Sequence, residues 1–170
     1  MLKEGILRIL FILFFILNIQ LIANCNTDIT GYWLSPKDEV TGRTSIVEII
    51  KKDGKYFGYK VVYLDSLLSE LDIHNEQYSL RDREVLGSVF IYNLEKNTKN
   101  SYIKGRYYDF DIGKTFHLRV RLECEKLVFI ISIDNAGMLS KKKIYQYLSP
   151  NDVKFYIKNK PEIDFSGIEQ

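Results

Sequence analysis

Few side chains in this sequence lie close enough together to form a reactive group. The strongest polar cluster is His74, flanked by Asp72, Asn75 and Glu76. An imidazole beside carboxylates suits acid–base or metal chemistry, because histidine changes charge near neutral pH. Either role would need further ligands from elsewhere in the fold, so the cluster is read as solvated loop chemistry. His117 alternates with Arg119 and Arg121 and belongs to a surface row. Ser88 follows Gly87 but sits in a strand-forming run, without the strand-to-helix turn that a G-x-S-x-G nucleophile elbow requires. Asp109-Phe110-Asp111-Ile112-Gly113 begins like a calcium loop, yet Val120 stands where the bidentate glutamate should be. It is read instead as a hairpin turn, with Asp109 accepting from local amides and Gly113 at positive φ. With two histidines and no C-x-x-C, no zinc site is expected. No catalytic residue, metal or cofactor follows from these residues, and the chain is read as a non-enzyme.

The elements that would position any binding residue are strands. Ser45–Lys52 and Lys55–Leu64 are β-branched and aromatic runs separated by Asp53-Gly54, a strong signal for a two-residue hairpin. Gly58 inside the second run predicts a bulge or a close backbone approach. Val85–Leu94 and Ser101–Asp109 form another expected pair. Lys114–Glu123 alternates cleanly, with Phe116, Leu118, Val120 and Leu122 on one face. Lys126–Asp134 repeats this with Leu127, Phe129, Ile131 and Ile133. Lys141–Leu148 is the last strand, and a short one around Trp33 makes eight.

Eight antiparallel strands in sequential hairpins suit an up-and-down barrel, with a two-sheet sandwich as the competing layout. The long interruption, 65–84, is expected to hold a helical turn near Ser66–Leu71 and a polar loop, either functional or mobile. Ser149-Pro150 reads as an N-cap and first helical residue, predicting a short helix over Val153–Lys158. Beyond Pro161 a loose tail is expected to Gln170.

Residues 1–24 read as a signal peptide, with Lys3 and Arg8 ahead of the unbroken apolar run Ile9–Leu17 and polar Asn18 and Gln20 after it. Export to the periplasm or to a membrane face of the envelope is therefore expected. Leu21-Ile22-Ala23-Asn24-Cys25 resembles a relaxed lipobox, so one reading has Cys25 lipidated, anchoring the protein to a membrane. The other has ordinary cleavage, which leaves Cys25 free to pair with Cys124 in an oxidising compartment. Losing Lys3, Glu4 and Arg8 takes the formal charge from +2 to +1. So small a net charge gives no argument for nucleic acid as a partner. The remaining ~145 residues suit one domain.

Gly31-x-Trp33, Ser45-Ile46-Val47-Glu48-Ile49, Asp53-Gly54-Lys55 with Gly58, Asp72–Asn75, Leu80-Arg81-x-Arg83 with Leu86-Gly87, and Gly105-x-x-Tyr108-Asp109 with Gly113-Lys114-Thr115 occur in that order. In this the chain resembles the bacterial family catalogued as domain of unknown function 2147, small exported proteins with a lipocalin-like barrel. The resemblance implies an all-β fold: a single eight-stranded antiparallel lipocalin-like barrel over residues 25–148, with a short C-terminal helix in 149–170. It also implies that Trp33 plugs the closed end beneath a basic side chain of the last strand. The chain has no arginine there, which leaves Lys141–Lys143 as substitutes. The family pattern also favours a proline where this chain has Phe110.

A barrel of this strand number is either filled by side chains or holds one small ligand. The expected ligand is small and apolar or amphipathic, a lipid for instance. Phe116, Leu118, Val120, Phe129 and Ile131 are expected to line the interior, with Arg81 and Arg83 at the mouth as contacts for an anionic head group. The alternative is a non-enzymatic envelope scaffold or interaction protein whose barrel is packed solid.

Overall fold

Asp53 and Gly54 take φ values of 50° and 80°, the paired positive angles of a type I′ turn, whose twist matches that of the strands it joins. They connect β2 (Ser45–Lys52) to β3 (Lys55–Tyr63). Before them comes β1 (Gly31–Leu34). After them come β4 (Val89–Thr98), β5 (Ser101–Asp109), β6 (Lys114–Glu123), β7 (Lys126–Ser132) and β8 (Ser140–Leu148). The computed structural model describes residues 25–66, 70–134 and 136–168. The expected leader lies outside the described residues, as does part of the helical turn expected near Ser66–Leu71.

Each strand pairs antiparallel with the next, and β8 pairs with β1, so the sheet closes into an eight-stranded barrel. Closure removes the open edges at which a sheet recruits another chain. β4 begins four residues later than the apolar run suggests. Gly87, at φ 86°, turns the chain off the strand path, and residues 85–88 bond elsewhere, through Gly87 N–H to the Lys60 carbonyl (2.9 Å) and Val85 N–H to the Glu70 carbonyl (2.7 Å). At Gly58 β3 approaches β4 closely. A Cβ there would lie 2.8 Å from Ile91 Cδ1, and the β3–β4 register shifts on both sides of it.

The barrel has a closed end and an open one. At the closed end lie the β2–β3, β4–β5 and β6–β7 turns and the incoming N-terminal segment. Trp33 is fully buried, donates its indole N–H to the Ile29 carbonyl at 2.8 Å, and packs edge-on against Tyr147, ring centroids 5.4 Å apart. The expected basic cover is therefore absent. Lys141–Lys143 stand at the start of β8, at the opposite rim, and an aromatic ring takes the place over the tryptophan. Tyr56, Tyr102, Leu122 and Leu127 fill the same end.

A second apolar layer lies outside the barrel. Phe57, Tyr59 and Val61 alternate out of β3 and pack with Ile46, Val89 and Tyr92 beneath the C-terminal segment. That segment starts with α1 (Pro150–Val153), capped by Ser149 through a reciprocal bond with Asp152, and continues through a 3₁₀ turn over Tyr156–Asn159. The expected helix is thus split and begins earlier. Nor is the tail loose as far as Ile168. Asp164 bridges to Ser88, and Phe165 packs edge-on against Phe57 at 5.6 Å. Lys160 reaches Glu48 at 3.0 Å, and Tyr59 donates to the same carboxylate. The cause is the outward row of β3, whose apolar surface the tail's Ile163, Phe165 and Ile168 remove from water.

Cys25 is bonded to Cys124, across a sequence separation of 99 residues. Of the two readings of Cys25 the structure shows the disulfide, and a cystine sulfur has no free thiol to take up a lipid thioether. The bond ties the N-terminal segment to the β6–β7 turn and completes the closed end. Closing a loop of this length stabilises by about 4–5 kcal/mol in the chain-entropy treatment, with about 2–4 kcal/mol typical in practice. Mature protein purified without reductant should leave both cysteines unlabelled by iodoacetamide until dithiothreitol is added. Cys124→Ser should lower unfolding stability by a comparable amount in a urea titration.

Candidate functional site

At the open end, the β1–β2, β3–β4 and β5–β6 connections meet the start of β8 around a cleft. One residue organises its wall. Asp72, fully buried in the long connection between β3 and β4, accepts from Arg83 Nε and Nη2 (2.9 Å each), Asn75 Nδ2 (2.7 Å) and Tyr108 Oη (2.8 Å). A buried carboxylate is tolerated only when its lone pairs are filled this way. Arg83 also binds the carbonyl of Ser166, which joins the loop to the C-terminal segment. Gly113 sits so close to the same loop that a Cβ on it would fall 1.8 Å from the His74 carbonyl oxygen. The β3–β4 connection is thus pinned at Asp72 and against Gly113.

This geometry relocates the polar candidates. Arg83 is committed to Asp72 and the tail, and Arg81 Nε to the Asn75 carbonyl at 2.8 Å, and neither lines the cleft. Asp72 and Asn75 are buried structural groups, while His74 is exposed. His117 lies beside Arg106, with Nη1 2.7 Å from Nδ1. Asp109 accepts the Asp111 N–H at 3.1 Å and Gly113 has φ 66°, the hairpin geometry expected of that turn. Among the described residues no three His, Cys, Asp or Glu side chains are grouped to hold a metal ion.

The apolar candidates divide by depth. Leu118, Val120 and Phe129 are buried in the barrel's inner core. Phe116 and Ile131 lie nearer the rim and line a groove of about 500 Å³ with exposed Val40, Ile112, Ile133 and Leu139. That groove shares Asp38, Tyr107, Asp111 and Lys143 with the cleft, whose volume is about 290 Å³. The two volumes therefore form one depression, apolar at the lip and charged within.

The charged part is centred on Lys60 and Lys143, neither of which the sequence analysis placed at a ligand site. Lys60 Nζ lies 3.4 Å from Tyr63 Oη and 5.3 Å from the centroids of both the Tyr63 and Phe110 rings. Burial pulls its amine below the usual lysine range, against the attraction of Asp111, Glu70 and Asp38. Lys143 Nζ is 3.1 Å from Tyr107 Oη and 3.9 Å from Asp38. Burial raises the Asp111 carboxyl above the usual range, and the charges of Asp38 and Asp109 push it the same way. Burial also raises the Tyr63, Tyr107 and Tyr145 phenols, so these remain neutral donors. The sequence did hold one signal for them: Lys60 is in phase with inward Tyr56 and Gly58, and Lys143 with inward Tyr145 and Tyr147.

Comparison with known proteins agrees with this architecture. The profile of a family described as uncharacterized protein conserved in bacteria (DUF2147) matches residues 31–146. Among solved structures, the chain is similar to protein HP1028 from the human pathogen Helicobacter pylori, described as belonging to the lipocalin family. The identity is 27%, the TM-score is 0.74, and the match covers 82% of this chain and 94% of that one. No curated protein matches the chain.

Two substitutions probe the site's frame. Asp72→Ala strands the buried Arg83 and should cost about 3–5 kcal/mol, whereas pairing it with Arg83→Met should recover part of that loss in a double-mutant urea series. For Asp111, a carboxyl raised by folding favours the native state below its unfolded value of 3.8 and opposes it as pH rises through the higher folded value. Asp111→Asn should therefore raise the melting temperature at pH 7, with the gain shrinking as pH falls through the folded value and gone below the unfolded value of 3.8.

Proposed function

The chain belongs to the bacterial DUF2147 family, and we propose that it is an exported, non-enzymatic carrier of one small amphipathic ligand held at the open end of its lipocalin-like barrel. The observation that carries this reading is the asymmetry of the interior. Trp33, Tyr56, Tyr102 and Phe129 fill the closed half without exposure, while the open half keeps a charged cleft continuous with an apolar groove. Apolar walls with a few convergent polar groups are what small-molecule sites present, and ~300–1,000 Å³ is their usual volume. The expected lining is thereby narrowed. Phe116 and Ile131 are the contacts this reading keeps, while Leu118, Val120 and Phe129 line neither the cleft nor the groove and belong to the packed core.

Export is supported by the apolar leader of the sequence and by the cystine, since disulfides persist in oxidising compartments.

Native mass spectrometry of the mature protein purified from its own envelope tests the proposal. A reproducible bound amphiphile is expected, and Ile112→Asp and Leu139→Asp should each reduce its occupancy severalfold. Both side chains are largely exposed, so the variants should keep the wild-type melting temperature within a few degrees. Protein that is empty as isolated and takes up no fluorescent amphiphile would support a filled scaffold instead.

A further inference from the structure

We propose that the charged cleft is a subsite for the anionic head, carboxylate or phosphate, of a single-chain amphiphile, held between Lys60 and Lys143 with its tail along the groove of Phe116, Ile131, Ile133 and Leu139. This inference rests on the carrier reading and specifies its ligand.

The charges in the cleft are close to balanced in number but not in availability. Asp38 Oδ1 already accepts the amide N–H groups of Val40 and Thr41 at 2.9 Å each and the Thr41 hydroxyl at 3.2 Å. Glu39 pairs with Lys141 at 2.5 Å. Glu70 pairs with Arg43 and accepts the Tyr63 hydroxyl at 3.0 Å. Asp109 accepts the Asp111 amide, and Asp111 is pressed toward its neutral form by burial and by its acidic neighbours. The acids at the rim are thus engaged, while burial and acidic neighbours disfavour the charge on Asp111.

The two inward lysines differ from them. An ammonium carries three donors. Among the described residues the hydrogen bonds of Lys60 and Lys143 are one each, to Tyr63 and Tyr107, and the closest carboxylate to Lys143 stands at 3.9 Å. No carboxylate among the described residues forms an ion pair with Lys60, and the positive charge of Lys143 acts on it unfavourably. Aromatic faces offset part of this cost, at 5.3 Å from Lys60 and 5.4 Å from Lys143. A monoanion in the cleft would take up the remaining donors of both groups and cancel their mutual repulsion. In a desolvated pocket such charge-assisted bonds are about twice as strong as neutral ones. A cationic head would meet the repulsion of the same two ammonium groups.

The test uses the full mature chain with its disulfide intact and four probes sharing one dansyl-labelled eleven-carbon tail: a carboxylate, a phosphate monoester, an alcohol and a trimethylammonium. One or both anions should bind about tenfold or more tighter than the alcohol, the scale of a charge-assisted hydrogen bond, and the cation more weakly than the alcohol. The stronger anion identifies the head group. Lys60→Met and Lys143→Met should each bring anion affinity down toward that of the alcohol while leaving alcohol affinity unchanged. Methionine approximates the lysine stem, and Lys143→Gln provides a second fold-preserving variant. Equal affinity for anion and alcohol, or anion affinity indifferent to both lysines, overturns the head-group assignment and leaves the carrier reading standing. If no probe binds, the carrier reading falls, and this inference falls with it.

Discussion

Closure of the sheet depends on four residues. Gly31–Leu34 pair with β2 through Trp33↔Val47 and with β8 through Trp33↔Tyr147, so one short strand supplies both seams that turn an eight-stranded ribbon into a barrel. So short a strand cannot hold its place through ladder bonds alone. It is fixed instead by what sits at its ends and beneath it. Trp33 anchors into the interior and back to the Ile29 carbonyl, Tyr56 donates to Asp28 at 2.8 Å, and the cystine at Cys25 ties the entering chain to the far side of the barrel. Every inward position on the other strands acquires its meaning from that closure.

The same closure divides the interior. With the N-terminal segment drawn across one end, large aromatics close-pack there and leave no room for a guest, as small barrels commonly do. The other end is held open by a different device. Asp72 gathers Arg83, Asn75 and Tyr108, and so pins the long β3–β4 connection beside the mouth. A group that looked in sequence like a reactive cluster around a histidine is a structural hub, and the arginine that looked like a ligand clamp is its counter-ion. The physical reason is burial: once Asp72 loses water, its charge needs partners, and the nearest cations and hydroxyls are drawn to it.

The outer face shows the same logic in apolar terms. Phe57, Tyr59 and Val61 point away from the barrel interior, and an antiparallel sheet can leave such a face to water only when its residues are polar. Here they are not, so the C-terminal segment lies over them and is held by Lys160 on Glu48 and Arg83 on Ser166. One arginine thus links the mouth loop to the tail, which makes the open end and the outer layer mechanically continuous.

Periodicity and turn chemistry in the sequence were enough to determine most of the strands, though not the start of β4. The bounds of β5 and β6, the type I′ turn at Asp53-Gly54 and the Asp109–Gly113 turn could all be read locally, because each is dictated by residues adjacent in the chain. That information left a barrel and a two-sheet sandwich both open, and it was the family resemblance, with Gly31-x-Trp33 at its start, that made the barrel with Trp33 in its closed end the expected fold. It could not locate the site. Lys60 and Lys143 are 83 positions apart, and they become neighbours only when closure brings β3 and β8 to one rim. Arg83 was removed from the mouth by a carboxylate whose burial no local pattern announces, and Arg81 by the Asn75 carbonyl. Local rules place side chains on one face or the other of a strand. Which of them meet, and which charges keep donors to offer a ligand, is decided by desolvation and by contacts between distant segments, and those exist only in the folded barrel.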